Sequence, residues 1–307
     1  MNKFVEDFGP EKKSFSWYLL GSVIVILFSF LGQFPMFFFL PKTITAGTSP
    51  MDLFKDLDSN LVLFLYLFPF LIAFFGFLFV IKKLHQQTLT QIITANAKID
   101  YKKMGFAFGF WTVITLFIFA VDYALSLEDY LLTFQWQPFL IMLLISLVFI
   151  PFQSGLEELL FRGYLMQGFA SLTKSRLGAL LLTSIIFGSL HIANPEIQKL
   201  GMGLLTYYIG TGFFFGIIAL MDEGIEIPLG LHIANNLITA LLVTSDWTAF
   251  QTESIFKDIS SPTLGSELLV FLVIVYPLSL YYLGKRYGWK NWKHKLTART
   301  DEHKSDL

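Results

Sequence analysis

The chain has 307 residues, 54% of them hydrophobic and 35 of them Phe, with 15% charged residues and a formal net charge of −1. A soluble domain carries about a quarter charged residues, so this composition excludes one and describes a polytopic membrane protein. Cysteine is absent, which excludes disulfides and thiolate metal sites, and a near-zero net charge by itself points to no partner.

A membrane-spanning helix needs about 20 mainly apolar residues. Eight stretches are candidates, in order Trp17–Leu40, Leu61–Ile81, Met104–Leu125, Pro138–Glu158 and beyond, Leu177–Ile192, Leu200–Met221, Pro228–Val243 and Leu264–Leu283. The residues before the first are charged and lack a small-residue cleavage site after the apolar run, so that run reads as a retained helix. Pro151 and Gly155 interrupt the fourth and predict a kink or restart just before Glu157. The fifth and seventh are short and carry polar groups. No internal repeat or soluble domain is seen, and the basic tail after Gly284 is expected to fluctuate.

Lys and Arg set the orientation. Lys3, Lys12 and Lys13 precede the first span. Lys82, Lys83, Lys98, Lys102 and Lys103 lie between the second and third, and Lys174 and Arg176 between the fourth and fifth. Lys285, Arg286, Lys290, Lys293, Lys295, Arg299 and Lys304 follow the eighth. With eight spans these segments share one side. The opposite loops hold only Lys42, Lys55, Lys199 and Lys257, while the acidic loop Asp222–Glu226 casts no vote. Both termini read as cytoplasmic in a multi-pass cell-membrane protein, with membrane lipids as neighbours and no nucleic-acid partner.

Ionisable groups inside a span are costly and need a partner or a task. The run Phe139–Phe152 leads into Glu157-Glu158-Leu159-Leu160-Phe161-Arg162. On a helix Glu158 and Arg162 are i,i+4 neighbours, and Glu157 lies about 100° round the axis. One reading makes Glu158–Arg162 a structural ion pair and Glu157 a free, reactive carboxylate; the other makes all three a helix-end cluster at the membrane surface. Of five histidines, His85, His294 and His303 fall in basic segments that solvation explains. His191 ends an apolar run, and His232 lies i,i+4 to Asn236. A lone histidine on an apolar face is usually a satisfied core residue. Two, with an asparagine and a carboxylate pair in spans otherwise poor in polar groups, point to a bundle interior or a water-filled cavity.

Glu157-Glu158-x-x-x-Arg162, Phe187-x-x-x-His191 and His232-x-x-x-Asn236, in that order, resemble the CAAX protease and bacteriocin-processing (Abi) family of intramembrane endopeptidases, which includes the type II CAAX prenyl endopeptidases. The resemblance covers Pro138 to Thr244. It divides the chain into residues 1–135, three spans without a matched motif; 136–245, the catalytic core; and 246–307, the last span and basic tail. It implies an all-α fold of about eight transmembrane helices around an intramembrane polar cavity.

Peptide hydrolysis needs an activated water and a stabilised oxyanion, and burial away from water makes a carboxylate a better base. The resemblance makes Glu157 and His191 the water-activating pair, and His232 and Asn236 the oxyanion stabilisers. It makes Glu158 and Arg162 the support of the glutamate helix and Phe187 packing beside His191. Glu157, His191 and His232 are also the candidate ligands of a divalent metal such as zinc, the basis on which the family is described as metalloproteases. The spacing is not His-Glu-x-x-His, and a metal-free glutamate mechanism is preferred. The substrate implied is a membrane-tethered or hydrophobic peptide. The competing functions are a catalytically silent scaffold, immunity or maturation factor, and a proton-coupled transporter; the complete motifs weigh against the first, and the lack of repeats against the second. Straight, full-length spans put His191 and His232 at opposite faces, so a short, kinked or sunken helix is required, with Pro195 and Pro228–Gly230 as candidate places.

Overall fold

The bilayer offers no water to backbone groups, so its spans must satisfy their hydrogen bonds internally. The computed structural model describes residues 4–6, 14–41, 53–54, 56–265 and 267–300. They form α1 (Phe15–Gly32), α2 (Ser59–Phe79), the short α3 (Leu89–Ile93), α4 (Tyr101–Leu125), α5 (Trp136–Glu158), α6 (Met166–Thr173) and α7 (Arg176–Ser189). The short α8 (Pro195–Leu200), α9 (Leu205–Asp222), α10 (Glu226–Leu242), α11 (Glu267–Leu269), α12 (Tyr276–Tyr287) and α13 (Trp292–Thr297) follow. The fold is an all-α polytopic membrane bundle. Among the described residues six stretches are long and apolar enough to cross a membrane: Phe15–Phe39, Ser59–Leu84, Tyr101–Leu125, Trp136–Thr173, Arg176–Ala193 and Met202–Asp222. The predicted seventh and eighth are helical too. α10 has 17 residues and is enclosed by its neighbours, and α11 runs through a π-helical stretch, Val270–Val275, into α12.

The fourth span departs from expectation. α5 passes through Pro151 without breaking and reaches Glu158 intact. Proline removes a single backbone donor, which a packed membrane helix tolerates. The irregularity comes after the glutamates, where Leu159–Leu165 form a π-helical turn leading into α6. Arg162 lies within this wider turn, a feature often found at functional sites.

Asp100 caps α4 through the amides of Lys102 and Lys103, and Ser175 caps α7 through that of Gly178. These caps lie at the end of the bundle where the basic segments gather. Arg176 meets Glu223 at 3.0 Å and Glu6 at 3.6 Å, Lys295 meets Glu223 at 3.2 Å, and Lys103 meets Asp222 at 2.8 Å. The acidic loop thus belongs with the basic segments as their counter-charge. Lys3, Lys12, Lys13, Lys42, Lys55, His303 and Lys304 lie outside the described residues.

Two expectations at this end need correction. The tail is docked on the bundle as far as Thr300: Lys295 Nζ donates to the carbonyl of Met221, and Thr300 N to that of Lys174. His85 is fully buried, not solvated, with Nε2 2.7 Å from Tyr164 Oη. The reason is that the segment after α2 sinks into the bundle and carries α3 against the π-helical turn. A Cβ on Gly163 would stand 2.5 Å from Ile92 Cγ2 and 2.9 Å from its carbonyl oxygen, so only glycine admits this approach. Ile225 donates its amide to Ile93 at 2.8 Å. α10 is therefore buried from its first residues, with Ile225 and Glu226 enclosed by α3, the π-helical turn and the start of α4, and His232 follows within its second turn. Pro228–Gly230 lie in its first turns, not in a turn before it. Gly230 lets α10 close on α4, since a Cβ there would meet the Met104 carbonyl oxygen at 2.2 Å.

At the other end α4 and α10 run into short strands. β1 (Tyr130–Leu132), β2 (Val243–Thr244) and β3 (Phe256–Asp258) pair in the order β1-β3-β2, β3 antiparallel to β1 and parallel to β2. This small sheet anchors the segment between β2 and β3 as a cap over the bundle.

Candidate active site

α5 delivers Gln153, Ser154, Glu157 and Glu158 to the bundle interior within two turns. Glu158 and Arg162 are both fully buried and pair at 2.8 Å. The guanidinium also donates to the Gly212 carbonyl at 3.4 Å and lies 4.1 Å from the Phe187 ring centroid. The ion pair read from the sequence is therefore present, and Phe187 is part of its housing. Glu158 does more than the spacing implied: the oxygen that meets Arg162 also lies 2.7 Å from Nδ1 of His232. Two buried charges need such additional bonds to offset their desolvation.

Glu157 turns the other way. Its Oε1 accepts from Gln153 Nε2 at 2.5 Å, and its Oε2 is 3.7 Å from His232 Nε2, too far for a direct hydrogen bond and suited to a bridging water. Gln153 Oε1 in turn accepts from Asn236 Nδ2 at 2.9 Å and from Ser154 Oγ at 2.9 Å. Asn236 also donates to Ser154 Oγ at 3.1 Å, and Asn235 links Asn236 to the indole of Trp111. A chain of amides thus fixes the carboxylate of Glu157. Both Asn236 amide hydrogens are engaged here, so Asn236 reaches an oxyanion only by exchanging one of these bonds.

His191 lies in a 3₁₀ turn, Leu190–Ala193, that ends α7. Its Nδ1 bonds the Phe187 carbonyl at 2.9 Å, which makes Nδ1 the protonated nitrogen and leaves the Nε2 lone pair free. The ring stacks on Tyr208, centroids 4.1 Å apart, and Phe187 stands between the histidines, 5.0 Å from His191 and 6.4 Å from His232. Glu157, His191, His232 and Asn236 all line one cavity of about 750 Å³, which continues between α1 and α2 at Val25 and Phe70 and under the cap at Trp247 and Phe250.

The three motifs therefore meet at one place. Sequence reasoning missed Gln153, Ser154, Tyr208, Asn235, Trp111 and the hold of Glu158 on His232. Gln153 had a signal, a polar residue i,i+4 to Glu157 at the end of an apolar run. Tyr208 had none.

Residues 135–238 match the family model for "Type II CAAX prenyl endopeptidase Rce1-like" proteins. The segment that carries this site is similar to the CAAX protease family. The match spans every motif residue from Glu157 to Asn236 and leaves the first three spans outside it. The chain is also similar to "Uncharacterized protein YyaK" of Bacillus subtilis (strain 168), at 27% identity over 248 residues, 80% of this chain and 83% of the relative. No solved structure matches the chain.

A catalytic zinc takes three protein ligands at about 2.0–2.2 Å for nitrogen and oxygen donors. Among the described residues no three His, Cys, Asp or Glu side chains come together to hold a metal ion. The residues as placed do not fit a zinc set, and no step below runs through one.

Proposed function

We propose that this protein is an intramembrane endopeptidase of the cell membrane, with both termini in the cytoplasm, that hydrolyses a peptide bond in a membrane-tethered or hydrophobic peptide. The observation that carries this reading is the Glu157 carboxylate. One of its oxygens is fixed by Gln153, and the other is left open to a cavity that His191 and His232 also line.

The chemistry assigns each group a proton. Water between Glu157 and His191 gives a proton to Glu157 as its oxygen attacks the substrate carbonyl carbon. His191, with Nδ1–H tied to Phe187, presents Nε2 as an acceptor that orients the water. The carbonyl π pair moves to oxygen, and that oxyanion takes a hydrogen bond from His232. Since Nδ1–H of His232 points at Glu158, donation from Nε2 requires the ring to carry both protons, as an imidazolium between the two glutamates. When the C–N bond breaks, Glu157 returns its proton to the leaving amine. The apolar cavity wall excludes bulk water and strengthens each of these interactions.

The test is a quenched hydrophobic peptide mixed with the full chain in lipid nanodiscs. Parent protein is expected to yield two new termini by mass spectrometry and Glu157→Gln none. Equal cleavage by both would remove the base from the mechanism.

A further inference from the structure

The cavity wall holds two buried polar atoms that no described residue satisfies. Glu196 lies in α8, five residues after His191. Its Oε1 accepts the Ala249 amide at 2.8 Å, while its Oε2 is buried without a hydrogen-bond partner. Trp247, in the cap after β2, has its indole Nε1 buried and equally without one. Both residues line the same cavity as Glu157. Native structures rarely leave such groups unpaired, and an exception needs a reason. One is an acceptor carrying negative charge and the other a donor. The Ala249–Glu196 bond ties together the two segments that bear them.

The charge of the wall says what fits. Among the described residues lining the cavity are Glu157, Glu196 and Asp258, and no Lys or Arg. A substrate with a free carboxylate finds no Lys or Arg here. An ammonium or guanidinium is the group that would complete the unpaired oxygen of Glu196, in surroundings where water competes weakly. A peptide lying extended advances about 3.3 Å per residue, so a bond held at Glu157 places a side chain a few residues away under the cap.

We infer that Glu196 and Trp247 form a substrate subsite for a cationic peptide group, a Lys or Arg side chain or a free amino terminus seated on Glu196 Oε2, with Trp247 Nε1 donating to a peptide carbonyl. This rests on the peptidase reading and adds the charge of the substrate to it. An oxygen of Glu196 that would otherwise stay unpaired favours the cation, since a site built for a polar group discriminates against the analogue that lacks it.

The experiment uses quenched apolar peptides that carry Lys, norleucine or Glu at each position in turn, with the full chain in nanodiscs. The parent is expected to cleave one Lys peptide on the order of tenfold or more faster in kcat/KM than its norleucine twin. Glu196→Gln keeps an acceptor for the Ala249 amide, so its melting temperature should hold while the Lys-to-norleucine ratio falls towards one. Glu196→Lys should turn the preference to Glu peptides. A parent ratio near one at every position, or a Lys preference that survives in Glu196→Gln, overturns the subsite and leaves the peptidase reading standing. If no peptide is cleaved, the peptidase reading fails, and fluorescence anisotropy of the same peptides decides the subsite. Tighter Lys-peptide binding that is lost in Glu196→Gln upholds it, and equal binding overturns it.

Discussion

Nδ1 of His232 lies 2.7 Å from the same Glu158 oxygen that meets Arg162 at 2.8 Å. One carboxylate thus joins the π-helical turn after α5 to the second turn of α10, and the orientation of a site histidine depends on a residue that faces away from the cavity. Carboxylate partners of this kind fix both the tautomer and the direction of an imidazole.

Removing Arg162 leaves Glu158 as an uncompensated buried charge. Arg162→Ala is expected to lower stability by about 3–5 kcal/mol, seen as a fall in melting temperature and in folded yield from the membrane. Arg162→Met combined with Glu158→Gln should recover part of that loss, because neither charge then remains. Normal thermal stability of Arg162→Ala would place the guanidinium in contact with water.

Gln153 holds the base, so its loss should act on turnover more than on folding. Gln153→Met keeps the length of the side chain and removes the donor to Glu157 Oε1 and the acceptor for Asn236 Nδ2. A misplacement of about 1 Å in a reacting group costs on the order of 10²-fold in rate. Cleavage by Gln153→Met should fall by about that factor, and Asn236→Ala should fall in the same direction. Assays that find Gln153→Met at the parent rate would free Glu157 from this chain of amides.

Gly230 is where α10 touches α4. Any Cβ there would fall 2.2 Å from the Met104 carbonyl oxygen, so backbone must move. Gly230→Val should cost about 1–3 kcal/mol or more by overpacking and swing His232 off Glu158. Melting temperature and cleavage should fall together, where Gln153→Met lowers mainly cleavage. A Gly230→Val protein as stable as the parent would show that the helices have room to part.

What the sequence made legible follows from these residues. Apolar length located the six membrane-length stretches among the described residues, and i,i+4 spacing found the Glu158–Arg162 pair, because both are local properties of a helix. The meeting of His191 with His232 was foreseen as a problem of depth. How the elements pack there depends on a contact between Ile92, Gly163 and Ile225 that no local pattern carries. His85 was misplaced for the same reason, since a segment rich in Lys and Gln gives no sign that it turns inward. The helix at Pro151 stayed whole because its neighbours hold it, whereas the π-helical turn at Leu159–Leu165 has no proline or glycine pair to announce it. Tyr208 and the Asn235–Trp111 link belong to helices brought together only by the fold.

The two glutamates separate by what each oxygen already touches. Glu157→Gln replaces one oxygen by an amide of the same shape, keeps an acceptor for Gln153 Nε2 and leaves the buried Glu158–Arg162 pair intact. It should melt near the parent temperature and lose on the order of 10²–10⁴ in cleavage rate, the usual contribution of a general base. Glu158→Gln removes the counter-charge of a fully buried guanidinium and the anionic partner of His232 Nδ1 at once. It should lose about 3–5 kcal/mol of stability and keep residual turnover, because the base is still in place. Both variants are to be purified in the same nanodiscs and scored for melting temperature and for kcat. A stable but inactive Glu158→Gln beside a Glu157→Gln that cleaves at the parent rate would reverse the two roles. It would make Glu158 the base and reduce Glu157 to a partner of Gln153. Parent-like cleavage by both would mean that neither carboxylate moves a proton, and that the Gln153 chain serves only to hold α5 against α10.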